Sequence, residues 1–168
     1  MAFDGDIHTV GHHLQTYAHS FGGVERDAYA RSAFNRYYYC VFLKTRDLFK
    51  SLDPSWSRMP HAGFPSVLKG EVRKQLKKGW TRARKNSDNK LMRDTETALR
   101  AVEALSGLLE TAYAIRVVAD YEPEETVEFN GVDRFSLKEV EITSAHGWRS
   151  KCEIFCDEIQ SAWLQLNV

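Results

Sequence analysis

The sequence predicts an all-α fold, an antiparallel four-helix bundle with a short accessory helix and long loops, in a single domain over residues 1–168. Three observations predict it. Apolar residues recur at alternating steps of three and four along two long stretches, the spacing that builds one helical face. A third stretch, residues 33–43, is apolar or aromatic nearly all round, as befits a helix in the middle of a bundle. Breakers are scarce, with 4 Pro and 10 Gly in 168 residues, too few for a many-turned all-β design.

The elements follow in order. A first helix is expected from about Asp6 to Phe21, stopped by Gly22-Gly23. A second runs from about Glu25 to Leu52 and ends at Asp53-Pro54, because proline cannot continue it. A strand is the rival reading of its aromatic run, but no turn signals bound that run at strand length. Pro60, Gly63 and Pro65 mark a loop, followed by a shorter helix over Ser66 to Lys78 and a basic loop over Gly79 to Asn89. The fourth helix carries Thr95, Ala98, Val102, Leu105, Leu109, Ala112, Arg116 and Ala119 on one stripe, and Glu122-Pro123 breaks it. Ser136-Leu137-Lys138-Glu139 has the form of a capping box opening the last helix, whose stripe is Trp148, Cys152, Phe155, Ile159, Ala162 and Leu166. Val127–Phe129 reads as a brief extended piece without a role.

Composition narrows the class. With 43% apolar, 12% aromatic and 27% charged residues, the chain is an ordinary globule, neither disordered nor fibrous. The 23 basic and 23 acidic residues cancel, but not locally. From Lys69 to Arg93 ten basic residues face only Glu71 and Asp88, a net +8; from Asp120 to Glu141 eight acids face only Arg134 and Lys138, a net −6. Such a basic stretch is a candidate polyanion footprint, with Lys74, Lys77, Lys78, Arg82, Arg84 and Lys85 at its centre, or else a solvated helix face. No window approaches about 18 uninterrupted apolar residues, so no membrane contact is expected. The amino terminus lacks the basic and apolar regions of a signal peptide. The 3 Cys fit reduced thiols in the cytoplasm.

Candidate chemistry sits where polar residues interrupt the pattern. Arg116 falls on an apolar stripe, where an unpaired guanidinium costs several kcal/mol to bury. Asp120, one turn on, can pair with it, and Tyr121 adds a hydroxyl. This is either an ion pair tying the helix end to the bundle or the centre of a site. Asn35 and Arg36 interrupt the most apolar helix, and Arg36 is placed to meet Asp120 or a phosphate. His61 is a loop histidine able to act as acid or base. His8 and His12 have the i,i+4 spacing of a chelating pair but no fixed third ligand, so neither a metal nor any cofactor is expected. Cys152 and Cys156, four apart, fit core packing. No Gly-rich phosphate loop, G-x-S-x-G, H-E-x-x-H or paired C-x-x-C is present.

Two motifs then combine. Ser32-Ala33-Phe34-Asn35-Arg36-Tyr37-Tyr38-Tyr39-Cys40-Val41-Phe42 resembles the R-x-Y-Y-x-x-F signature of the HEPN superfamily, in its branch of small stand-alone bacterial proteins. Arg116-Val117-Val118-Ala119-Asp120-Tyr121 looks like that branch's R-x-x-A-D-Y motif at the end of a long helix, and His61 sits between the two where the branch often has a loop histidine. The resemblance covers about Asp27 to Leu166. It implies a HEPN four-helix bundle, often a homodimer, in a bacterial defence or toxin–antitoxin system. It also implies a protein partner encoded by a neighbouring gene. Many such proteins are metal-independent ribonucleases using an R-x4-6-H motif; here no Arg precedes a His by that spacing, and only Arg116 maps onto the motif. Two expectations follow. One is an RNA-cleaving effector in which Arg116, Asp120, Tyr121 and His61 do the chemistry. The basic stretch would steer the RNA there, with Asn35 and Arg36 as further ligand-binding candidates. The other is a non-catalytic module that binds a nucleotide, RNA or protein, in which Arg116, Asp120 and Arg36 form a structural or ligand-holding network.

Overall fold

The computed structural model describes residues 3–131 and 134–166; Met1 and Ala2 of the amino terminus and Asp133 of the acidic stretch lie outside them. The fold is all-α apart from one small sheet. Helix α1 covers Phe3–Ala18 and α2 Gly23–Leu52. Two 3₁₀ turns, Pro54–Arg58 and His61–Gly63, lead into α3 (Phe64–Val67), a π-turn (Leu68–Val72) and α4 (Arg73–Lys85), which run on as one helical rod. Then come α5 (Asn89–Tyr121), strands β1 (Glu128–Phe129), β2 (Phe135–Leu137) and β3 (Val140–Glu141), the short α6 (Ile142–His146), and α7 (Trp148–Gln165). The chain forms two compact units, residues 1–43 with 110–150 and residues 44–109 with 151–168. Helices α2, α5 and α7 contribute to both.

In the first unit the aromatic run of α2 is helical, as its length and all-round apolarity predict. Phe34, Tyr37, Tyr38 and Val41 are buried there among Ile115, Val118, Phe135 and Ile142. Helix α1 lies close against α2 at Gly11, where a Cβ would come within 3.0 Å of the Tyr37 ring. The Tyr37 hydroxyl donates to Gln15 Oε1 at 2.6 Å. Asp4, only 5% exposed, is neutralised by Arg149, whose Nε donates to its Oδ2 at 2.9 Å. A buried carboxylate without such a partner costs several kcal/mol. His8, His12 and His146 cluster beside Tyr37, with ring centroids 4.7 Å apart for His8–His146 and 5.3 Å for His12–His146. Burial, reinforced by the two neighbouring imidazoles, holds His146 below its ordinary pKa.

The end of α5 is closed by Arg31. Its Nη1 donates to the carbonyls of Val118 at 3.2 Å and Glu122 at 3.2 Å, and its Nη2 donates to the carbonyl of Glu125. Asp27, one turn back on α2, pairs with its Nε at 2.5 Å. The last carbonyls of any α-helix lack intrahelical partners, so a cation there satisfies them and complements the helix dipole. The chain beyond Tyr121 then forms the three-stranded antiparallel sheet, in the order β1-β2-β3.

That sheet corrects the reading of the last helix. Ser136 pairs with Glu141 and Leu137 with Val140, so the supposed capping box is a hairpin with Lys138-Glu139 as its two-residue turn. Both turn residues adopt left-handed backbone, with φ of 44° and 65°. Such turns favour Asn and Gly, and neither is present to signal one. Val127–Phe129 supplies β1. Ion pairs from Lys138 to Glu122 at 2.8 Å and to Glu125 at 3.5 Å tie the turn to the acidic connection.

In the second unit Phe49 packs on Phe64 with ring centroids 4.8 Å apart, and Trp56 meets Trp163 at 6.2 Å. Leu68, Val72 and Leu76 are buried with Leu105 and Ile159. Gly79 permits the close approach of α4 to Leu166, since a Cβ there would lie 2.1 Å from Leu166 Cδ2. The segment read as a basic loop is helical to Lys85, which makes a fifth long helix of the accessory one. Cys152 and Cys156 are buried with sulfurs 3.8 Å apart, and their mutual hydrogen bond and burial push the Cys156 thiol well up. They are core residues.

Two outcomes test this packing. Arg31 is 12% exposed, so Arg31→Ala should lower unfolding free energy by about 2–4 kcal/mol in urea denaturation. Arg31→Lys should recover less than half of it, because one ammonium cannot span the same carbonyls. His146 has a folded pKa below its unfolded one, so between the two values the unfolded chain binds the extra proton. Stability contributed by neutral His146 is complete above about pH 6.5 and falls as pH drops through the folded value. The urea midpoint should therefore decline from about pH 7 to 5, and His146→Gln should flatten that decline.

Candidate functional site

Among the described residues two polar features stand out. The first is at the end of α5 in the first unit. Arg116 Nε lies 2.9 Å from Asp120 Oδ2, with their side chains 21% and 25% exposed. The contact is an ion pair outside hydrogen-bond geometry, so the shielded Nε–H of Arg116 has no acceptor. The other oxygen of Asp120 is taken by Asn35, whose Nδ2 donates to Oδ1 at 2.7 Å. The Asn35 Oδ1 is shielded and likewise unpartnered. The Arg116 guanidinium sits 5.2 Å from the centroid of the exposed Tyr121 ring. Burial pulls the Arg116 pKa down, but Asp120 and Tyr121 outweigh it and hold the group above its ordinary value. Burial pushes the neighbouring Tyr38 phenol up, against the opposing pull of Arg116.

Helix geometry explains why Arg116 tolerates this position. A strict 3.5-residue stripe drifts about 20° per heptad on a straight α-helix, so by Arg116, three heptads past Thr95, it has turned about 60° off the seam. The buried positions after Leu109 and Ala112 are accordingly Ile115 and Val118. Arg116 stands at the margin of the core, where its charge is half-solvated.

Of the other candidates, Arg36 is exposed on α2 rather than inside it, and Asn35 is the residue that meets Asp120. His61 is exposed in the second 3₁₀ turn, in the second unit. The structure therefore brings Asn35, Arg116, Asp120 and Tyr121 together in one unit and places His61 in the other. His8 and His12 join His146 rather than a metal set, and no group of three or more His, Cys, Asp or Glu among the described residues could hold a metal ion.

The second feature is α4 with its π-turn. The Arg73 N–H reaches back five residues to the carbonyl of Leu68, which widens the helix there. Along the exposed side of this rod runs an open groove of about 680 Å³. Seven of its nine lining residues are cations: Lys69, Arg73, Lys74, Lys77, Lys78, Arg82 and Lys85, with Gly70 and Thr81 between them. They recur every four residues in two adjacent rows, because side chains four apart stack on one helical face. Only part of this charge is met. Arg73 pairs with Glu103, Lys74 with Glu71 at 3.6 Å, and Arg82 donates to the Leu166 carbonyl at 2.8 Å. Lys77 and Lys85 have no ion-pair partner among the described residues. Arg84 lies off the groove, its guanidinium 5.5 Å from the Trp80 ring centroid.

Sequence reasoning passed over Arg31 and Trp80. The i,i+4 pair Asp27–Arg31 was visible as a spacing, but nothing local showed that it would close α5 from another helix. Among the described residues no helix is long and apolar enough to cross a membrane. No family model, curated protein or solved structure matches the chain.

The Asn35–Asp120–Arg116 arrangement yields a measurable coupling. Asp120→Ala should cost about 1 kcal/mol, since both side chains keep some solvent. A double-mutant cycle of Asn35→Ala with Asp120→Ala should show a coupling of about 0.5–1.5 kcal/mol by urea denaturation.

Proposed function

We propose that this protein is a HEPN-type RNA-binding protein of a bacterial defence or toxin–antitoxin system, working in the cytoplasm as a homodimer with a protein partner from a neighbouring gene. The observation that carries the RNA reading is the seven-cation groove of α4. Cations held in rows on one rigid helix displace the counterions of a phosphate backbone, which is the chief source of sequence-independent nucleic-acid affinity. The two HEPN-like motifs support the family: Asn35 of the first bonds Asp120 of the second.

A second reading, metal-independent cleavage of RNA, is favoured by one observation. Arg116 is held by Asp120 at the end of α5 while its side chain stays 21% exposed, which leaves the guanidinium able to meet a scissile phosphate. The ribose 2′-hydroxyl would attack that phosphate and expel the 5′-oxygen of the next nucleotide, Arg116 would stabilise the charge that develops on the phosphate, and Tyr121 would assist the proton transfer from the attacking to the leaving oxygen.

Titration of labelled RNA at several salt concentrations tests the first reading. Log affinity should fall against log salt with a slope of roughly −3 to −5 if five to seven cations engage phosphates. A slope near zero contradicts it. Incubation with total RNA in a chelator tests the second. Cleavage by the parent and at least about 100-fold less by Arg116→Ala is expected of an enzyme. Intact RNA with the parent leaves the binding module as the function, and equal cleavage by the variant removes Arg116 from the site.

A further inference from the structure

Beside the cationic groove lies a second hollow of about 330 Å³, lined by Lys77, Trp80, Thr81, Glu96 and Leu99. It shares Lys77 and Thr81 with the groove. Its apolar wall comes from Leu99 on α5 and the half-buried indole of Trp80. The indole is fixed: its Nε1 donates to Glu96 Oε1 at 3.0 Å. Helix α4 thus presents a row of cations and, in the adjoining hollow, an indole oriented by Glu96 with the Arg84 guanidinium 5.5 Å from its ring centroid. Both lie within the second unit.

From this juxtaposition we infer that α4 binds single-stranded RNA, with the phosphate backbone along the cationic groove and one base stacked in the hollow on Trp80. The inference rests on the RNA-binding reading above and sharpens its substrate class. A duplex keeps its bases stacked inside, so it can engage the cations but not the indole. A single strand can turn a base outward, and every base has a face that stacks on an aromatic ring. Lys77 borders both hollows, where a phosphate and its own base diverge. Neither the charge nor the ring alone makes this selection; a polyanion without bases satisfies only the first.

Anisotropy titrations with a labelled mixed-sequence RNA of about 12 nucleotides, alone and annealed to its complement, test the inference. The parent should bind the single strand at least about 10-fold tighter than the duplex. Trp80→Leu keeps apolar bulk but has no ring, and should weaken single-strand binding about 5- to 100-fold without changing the salt slope. Trp80→Phe should retain most of the affinity. As a readout independent of variant stability, single-stranded RNA should quench tryptophan fluorescence of the parent, and Trp80→Phe should lose that quenching. Equal or tighter duplex binding overturns the single-strand inference while leaving RNA binding in place. Polyglutamate competing as well as RNA, with Trp80→Leu unaffected, also overturns it and would mark the groove as a seat for an acidic protein. No binding of either RNA overturns both readings.

Discussion

A 33-residue helix ends in carbonyls that need donors, and at Tyr121 the chain passes into an acidic connection rich in further acceptors. Arg31 resolves this from the neighbouring helix. Its guanidinium bonds carbonyls on both sides of the helix end, while Asp27 holds it in place. Much of the first unit hangs on that contact. Glu122 and Glu125, gathered around Arg31, are the residues to which Lys138 anchors the hairpin. One turn further along α2 from Arg31, Asn35 grips Asp120, and Asp120 orients Arg116. The same face of α2 therefore closes α5 and sets the geometry of its candidate site.

The helices were legible because burial and hydrophobic period coincide. Leu105, Leu109 and Ala112 on α5, and Cys152, Cys156 and Ile159 on α7, lie buried at three- and four-residue steps. What was illegible has identifiable causes. The hairpin at Lys138-Glu139 uses left-handed backbone in residues that rarely adopt it, so a capping-box pattern was the stronger local signal. The helical continuation to Lys85 depends on Leu76, Gly79 and Ala83 being buried in the second unit, a tertiary effect that outweighs the repulsion of successive cations. Arg36 looked internal because its neighbours are apolar, yet a helix in contact on several sides still leaves one narrow strip to solvent. At the candidate site Arg116 and Asp120 were visible as a spaced pair, whereas the Asn35 contact required knowing which helix packs against α5.

The cancelling charges of the whole chain conceal two different physical situations. Three acids at and just beyond the end of α5 are engaged locally: Asp120 with Arg116 and Asn35, Glu122 and Glu125 with Lys138. The cations of α4 are more numerous than the carboxylates that meet them, and at least Lys77 and Lys85 are left for an external anion. Placing like charges four apart on one helix costs stability, and the helix accepts that cost because its opposite face is secured by Leu76 and by Leu166 over Gly79. Charge kept on one exposed side of a well-packed helix fits a role in binding rather than in folding.

The central claim, that RNA lies along α4 with a base against Trp80, is tested most directly by mapping contact sites. Single-stranded RNA carrying a photoreactive uridine, crosslinked to the full chain and read by mass spectrometry, should place its adducts within residues 69–85 and foremost on the segment containing Trp80. Adducts concentrated on α1, α2 or the hairpin instead, or a yield no higher than that of a scrambled-charge variant of α4, would contradict it.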